Sequence, residues 1–299
     1  MISLWRRALR IPQVRIGGGL LLLIAGAVLA APLLAPFGPD EVNPAGRLMA
    51  PLSEAIPTAP ASAAAAAPVA SLRAPHRHLL GTDSVGRDIL SRLLFGGRLS
   101  LGVGLSAVVL GSLCGGLLGL VSGYFGGWVD ACTLWLIDLQ LSFPFLLLSI
   151  FLLGALGGGI LAVVLILALS TWVNYARVVR AQVLSLRTLG YVEAARVTGA
   201  SHPRILGVHL LPNTLSPLCI IASFSMTQAV LTEAGLSFLG VGLDPATPSW
   251  GTMLNDGRDY LLDAWWIAVM PGLAISLTVI AITLLGEGLR RLLDGRDPG

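Results

Sequence analysis

The segment GYVEAARVTGASHPRILGVHLLPN (190–213) is a polar interruption in an otherwise apolar part of the chain. Apolar runs flank it at 159–179 and 213–235, each close to the 20 or so residues that a membrane-crossing helix needs. The segment itself is too polar to cross. Its start reads as a helix, because Val192 through Val197 contains good helix formers and Glu193 lies near the N-terminal end, where the dipole favours a carboxylate. Gly199 is placed to end that helix in a left-handed conformation. Ser201 can then cap a second helix whose first turn holds Pro203, where a missing N–H costs little. The expected product is a short helix, a sharp turn, and a second helix that runs into the following span. The small side chains of Ala194 and Ala195 would let another surface approach closely.

Further spans of sufficient length lie at 17–37, 100–122, 131–153 and 264–287, which makes six. Glycines at 154–159 mark the turn between the third and fourth, and Pro144 and Pro271 predict local kinks inside the third and sixth. The composition agrees: 55% of the 299 residues are hydrophobic and 12% charged, about half the charged share of a soluble domain, and the mean hydropathy is +0.82. A soluble enzyme, a disordered tail and a nucleic-acid binder are poor fits. The fold class is all-α, a polytopic membrane protein with six transmembrane helices.

All 19 basic residues are Arg, and Lys is absent. A P-loop reaches the β- and γ-phosphates with a Lys, so this chain cannot carry a standard ATP site. Arg6, Arg7, Arg10 and Arg15 precede the first span, Arg290, Arg291 and Arg296 follow the last, and Arg180, Arg187, Arg196 and Arg204 lie around the 190–213 loop. The positive-inside rule then puts both termini and that loop in the cytoplasm. The first loop, with Arg73, Arg77, Arg87, Arg92 and Arg98, runs against the rule but is about 60 residues long, where the rule weakens. The N-terminus has features of a signal peptide, yet its apolar run is long enough to span and reads as an uncleaved helix. Residues 40–75 are rich in Ala and Pro and read as an external linker, and His76 and His78 just after it are a weak metal pair. Cys114, Cys132 and Cys219 read as small buried hydrophobes.

Weaker signals carry two readings each. Asp138, inside the third span, is either a structural carboxylate near the cytoplasmic boundary or a proton site. Glu233, at the end of the fifth span, either faces a pathway or caps a helix–loop boundary. Trp250 belongs to the outer loop 240–263, a candidate external cap or gate, while Trp265 and Trp266 read as interfacial anchors. The pairs Gly102/Gly104 and Gly115-Gly116 read as helix-packing positions.

Glu193-Ala194-Ala195, Gly199, and Leu211-Pro212 resemble the EAA loop of bacterial ABC importer permeases. The run HLLPN (209–213) is similar to the peptide and nickel branch, as are GTDSVGRDILSRLLFGGRLSL (81–101), GYFGGWVD (123–130), LSFLGVGLDPATPSWGTMLNDGRDYL (236–261) and AWWIAVMPGLAI (264–275). The resemblance, to the DppC/OppC type, covers roughly 75–295. It implies a MetI-like permease core at 81–290 of five helices with a coupling loop at 187–212, after an N-terminus and first helix at 1–38 and a linker at 39–80, with a cytoplasmic tail at 291–299. It also implies that Glu193, Ala194, Ala195, Arg196, Gly199, Leu211 and Pro212 form the surface that couples to a cytoplasmic ATPase. The implied partners are a second permease subunit (DppB/OppB-like), two ATPase subunits (DppD/DppF-like) holding ATP and Mg, an extracytoplasmic solute-binding protein and membrane lipid, in a bacterial inner membrane. No cofactor is implied on this chain. Peptides are the implied solutes, with nickel chelates, metallophores and glutathione-like molecules as alternatives.

Two other classes compete. An intramembrane hydrolase would need a nucleophile motif, but GLSFLG (235–240) has one residue too many for GxSxG, and His202 and His209 fall across the membrane from Ser237. A self-contained secondary transporter would carry paired broken helices and midplane charge, and would have no use for the 190–213 loop.

Overall fold

A computed structural model of the protein describes residues 11–54 and 77–293. Its helices are α1 (Pro12–Leu29), α2 (Ile89–Phe125), α3 (Gly127–Leu141), α4 (Phe145–Leu156), α5 (Ile160–Leu186), α6 (Gly190–Val197), α7 (His202–Phe238), α8 (Trp250–Gly257) and α9 (Trp266–Leu293). The two-residue strands β1 (Ser53–Glu54) and β2 (Arg77–His78) pair antiparallel. Five helices, α1, α2, α5, α7 and α9, are long and apolar enough to cross a membrane, and α3 with α4 makes a sixth span only as a bent pair.

That bend is sharper than the expected kink: α3 and α4 meet at 90°. Pro144 has no N–H to continue the helix, and its ring drives the preceding residue out of the helical region. It ends up as the N-cap of α4 with φ −57° and ψ 120°. Pro271, by contrast, lies inside α9 without ending it. Helix α2 begins at Ile89, well before the apolar run at 100. Asp88 is its N-cap, accepting from the Ser91 N–H at 2.8 Å, so a local polar signal sets a start that hydropathy does not register.

The described chain forms two compact units. The first comprises Met1–Leu21, Val103–Glu233 and Thr278–Gly299. Here α2 lies against α5 along glycines one turn apart. A Cβ on Gly115 would stand 2.1 Å from the Trp172 carbonyl oxygen, one on Gly119 2.4 Å from that of Ala176, and one on Gly111 2.0 Å from Thr171 Oγ1. Of the two expected packing pairs, only Gly104 and Gly115 meet a neighbour; Gly102 and Gly116 face open space. Helix α3 is tied to α5 by Asp130, which accepts from Arg180 Nε and Nη2 at 2.5 and 2.7 Å. The Gln140 amide reaches the Leu169 carbonyl at 2.6 Å.

The second unit, Leu22–Gly102 and Ala234–Leu277, is built on a buried ionic cluster. Asp83 accepts from Arg87 Nε and Arg92 Nη1, each at 2.6 Å, and both Asp83 and Arg92 are 1% exposed. Asp256 lies 3.3 Å from Arg87 and 3.4 Å from Arg92. Burial pushes the Asp83 carboxyl up, but Arg87, the Arg87 backbone N–H and Arg92 together hold it below the usual range. For Asp256 burial prevails over the same guanidiniums and the carboxyl is raised. His78 Nδ1 sits 2.9 Å from Asp88, buried, so this histidine is committed to the fold; His76 lies outside the described residues. Trp266 is likewise buried rather than a headgroup anchor, its indole N–H donating to the Thr82 carbonyl at 3.1 Å.

The described part of the expected linker, residues 40–54, is largely exposed but anchored at a few positions, with Asn43 and Gly46 buried. A Cβ on Gly86, which has φ +86°, would fall 1.8 Å from the Asn43 carbonyl oxygen, and the Met49 N–H donates to Thr82 Oγ1 at 2.8 Å. The Ala/Pro composition that suggests a linker is concentrated in 55–76, outside the described residues.

Gly115→Val should therefore destabilise the purified chain by about 1–3 kcal/mol through overpacking, whereas Gly116→Val should leave the melting temperature nearly unchanged; a thermal scan of both in detergent checks this. Asp83→Asn should cost about 3–5 kcal/mol by stranding a buried guanidinium. Because the folded Asp83 carboxyl lies below its unfolded value, its stabilisation is present above the ordinary carboxylate pKa of about 3.9 and is lost as pH falls through the lower folded value. Acid titration monitored by Trp fluorescence should show that loss in the parent and not in Asp83→Asn.

Candidate functional site

The 187–212 loop has the predicted form. Helix α6 ends at Gly199, whose φ of +81° is left-handed. The Gly199 N–H donates to the Arg196 carbonyl at 3.1 Å and the Ala200 N–H to that of Ala195 at 3.0 Å, the paired bonds that close a helix at a left-handed glycine. Ser201 takes the N-cap position of α7, with extended backbone, but its side chain makes no capping bond; Pro203 occupies the first turn.

Sequence reading does not reveal what holds this hairpin in place. Val192 of α6 and Ile205 and Leu210 of α7, all fully buried, pack with Leu120 and Tyr124 of α2 and Val179 and Val183 of α5. Polar contacts reinforce that cluster. The Tyr124 hydroxyl lies 2.8 Å from His202 Nδ1, Arg187 Nη1 donates to the Gly123 carbonyl at 2.9 Å, and the Arg196 guanidinium stands 6.0 Å above the Tyr124 ring. The signal that was available is the apolar spacing of Val192, Ile205 and Leu210 within a polar loop.

The opposite face of α6 has no cover among the described residues. Glu193 and Ala194 are exposed, Ala195 is half-buried and Val197 is 88% exposed, while Tyr191, 43% exposed, lies near the His209 ring. Burying apolar side chains of this kind is favourable at about 25 cal/mol per Å², so the face is suited to a protein surface. Leu211 and Pro212, both exposed, follow a π-helical stretch, Ile205–Leu210. There the Leu211 N–H reaches back five residues to Leu206. Pro212 can donate no backbone bond, and the widened turn ahead of it takes up the irregularity.

The remaining candidates lie apart from this loop in sequence and differ in setting. Asp138 is exposed in the last turn of α3, one turn before the break, and Asp130 rather than Asp138 pairs with Arg180. Glu233 is 1% exposed inside α7 and does not cap its end, which is Phe238. Trp250 opens α8, where Ser249 and Thr252 form a reciprocal capping box. At 1% exposure, with its indole N–H donating to the Leu93 carbonyl at 2.9 Å, it is a core residue of its unit and not an exposed gate. Cys114 and Cys219 are free and exposed in the chain, not buried.

Residues 115–296 match the family model described as "Binding-protein-dependent transport system inner membrane component". A putative peptide transport system permease protein of Brucella suis biovar 1 is 38% identical over 97% of this chain and 90% of its own length. The di/tripeptide transport system permease protein DppC of Pseudomonas aeruginosa is 41% identical over 93% and 86%. The glutathione transport system permease protein GsiD of Pectobacterium atrosepticum is 39% identical over 97% and 89%.

Ile205→Ala should cost about 2–5 kcal/mol at the buried cluster and loosen the loop locally. Limited trypsin digestion should then cut at Arg196 and Arg204 faster than in the parent chain, with the rest of the protein unaffected.

Proposed function

The chain belongs to the family of binding-protein-dependent transport system inner membrane components, and from that premise we propose that it is the permease subunit of an ATP-driven importer of di- or oligopeptides. The observation that carries the coupling role is α6: a short helix anchored by a buried cluster on one side and uncovered on the other. Such a helix moves as a body when a partner grips it. In this reading Glu193 makes polar contacts with an ATPase, Ala194 and Ala195 pack in its cleft, and Arg196 is the brace to Tyr124. Gly199 sets the angle between α6 and α7, and Leu211-Pro212 ends the lever where α7 becomes regular.

The full assembly would comprise this chain, a sibling permease of DppB/OppB type, two ATPases of DppD/DppF type that hold ATP and Mg, and an external binding protein. The absence of Lys supports placing ATP chemistry on another chain. The Arg distribution supports a cytoplasmic 187–212 loop and cytoplasmic termini. Peptides are favoured as solutes because relatives named for peptide and di/tripeptide transport match over nearly the whole chain. Glutathione, itself peptide-like, is the second reading, favoured by the similarity to GsiD.

Glu193→Arg, at an exposed position, should leave the amount of chain in the membrane unchanged and lower ATP-dependent peptide uptake in proteoliposomes at least about tenfold, the equivalent of 1.4 kcal/mol. Gly199→Pro should do the same, since proline cannot adopt φ +81°. Normal uptake by both variants would refute the lever assignment.

A further inference from the structure

Helix α5 has two unlike halves. Residues 160–169 are uniformly apolar, whereas Ser170, Asn174 and Arg177 follow at i, i+4 and i+7, a single stripe down one face. The opposite face of the same turns, with Tyr175, Ala176 and Val179, is buried. The polar stripe lines a half-open hollow of about 480 Å³ whose other wall is formed by Phe224, Ser225 and Gln228 of α7. Asn174, Arg177 and Gln228 are exposed in the chain, and among the described residues no carboxylate pairs with Arg177.

Three surroundings could meet this face. Against lipid the guanidinium would be desolvated at a cost that reaches about 2.5–3.5 kcal/mol at the bilayer centre and is smaller towards the helix end where Arg177 lies, and the two amides would add to it. Dry packing against another subunit would demand a buried acid for each such cation and would fill the hollow. Water with solute passing through it satisfies every group, and the volume lies within the range of small-molecule sites. The donors also define what would rest there. The Arg177 guanidinium, flanked by the Asn174 and Gln228 amides, offers N–H groups to a planar, two-oxygen anion, while the Ser170 hydroxyl already donates to the Leu167 carbonyl at 2.7 Å. None of the lining residues is acidic, so an ammonium group gains nothing there.

We infer that the Ser170–Asn174–Arg177 stripe, with Gln228 opposite, is a pathway subsite that receives the carboxylate of the passing solute. The inference rests on the permease reading above and deepens it, since a peptide's C-terminus supplies that carboxylate. An open, hydrated Arg binds a carboxylate weakly, which suits a site that must release as readily as it takes up.

The test places a reporter thiol in the cavity. Gln228→Cys, in an assembled importer with Cys114, Cys132 and Cys219 replaced by Ser, is labelled by anionic 2-sulfonatoethyl methanethiosulfonate and by its cationic trimethylammonium counterpart. The expected result is rapid labelling with about a tenfold preference for the anionic reagent. Arg177→Gln should bring that ratio to about one and Arg177→Lys should keep most of it. Alanyl-alanine at millimolar concentration should slow labelling, and its C-terminal amide should not. A thiol that neither reagent reaches, or a ratio indifferent to Arg177→Gln, would overturn the subsite. Equal slowing by acid and amide would overturn its carboxylate preference. None of these readouts requires uptake, so an importer that fails to carry peptides would sink the peptide reading while leaving the anion subsite intact.

Discussion

Helices α2 and α5 approach so closely along Gly111, Gly115 and Gly119 that a single added methyl would strike a backbone or hydroxyl oxygen of the partner helix. In a bilayer, apolar side chains gain little by leaving lipid, so helices associate through close van der Waals contact, and small residues make that contact possible. Much of the first unit depends on this seam. It fixes the rotation of α5, and thereby sends Tyr175, Ala176 and Val179 inward and Ser170, Asn174 and Arg177 to the cavity face. One turn further on, Gly123 lets Val183 approach α2, and the same two helices supply Leu120, Tyr124, Val179 and Val183 to the floor on which the α6–α7 hairpin sits.

The hairpin is consequently rigid where it meets its own chain and bare where it does not. Three buried aliphatic residues, a tyrosine–histidine contact and an arginine that caps the end of α2 hold α6 from beneath. Above, a carboxylate, two alanines and an exposed valine make a small surface that a partner can approach. Rigidity on one side and vacancy on the other are what transmission of a movement requires, since a loop that yields locally passes nothing on to the spans. The left-handed Gly199 places the turn at one residue and keeps both helices regular around it.

Much of this was readable from the residues because the signals are local. Gly199, Ser201 and Pro203 specify a helix end and a helix start within five positions, and the backbone follows them. The spans were readable from their length, with two instructive exceptions. Hydropathy misses the polar first turns of α2, which Asp88 initiates by a hydrogen bond, and it cannot tell a kinked helix from one broken by 90° at Pro144. What local signals do not carry is long-range partnership. Nothing near Val192 says that it will join a cluster with Val179 and Val183, nothing near Trp250 says that its indole will reach Leu93, and the acidic Asp83 gives no hint of sharing two arginines with Asp256. The π-helical stretch before Pro212 belongs to the same class, because the buried Ile205 and Leu210 fix its two ends.

In the proposed assembly this chain is one half of a permease whose energy comes from elsewhere. The most direct measurement is affinity purification of the chain from its native membrane in mild detergent, with quantitative mass spectrometry of what accompanies it. One sibling permease and two ATPase copies should accompany each chain, with an external binding protein retained when its solute is present. A chain that emerges alone, and that carries solute in proteoliposomes without ATP, would contradict that assembly.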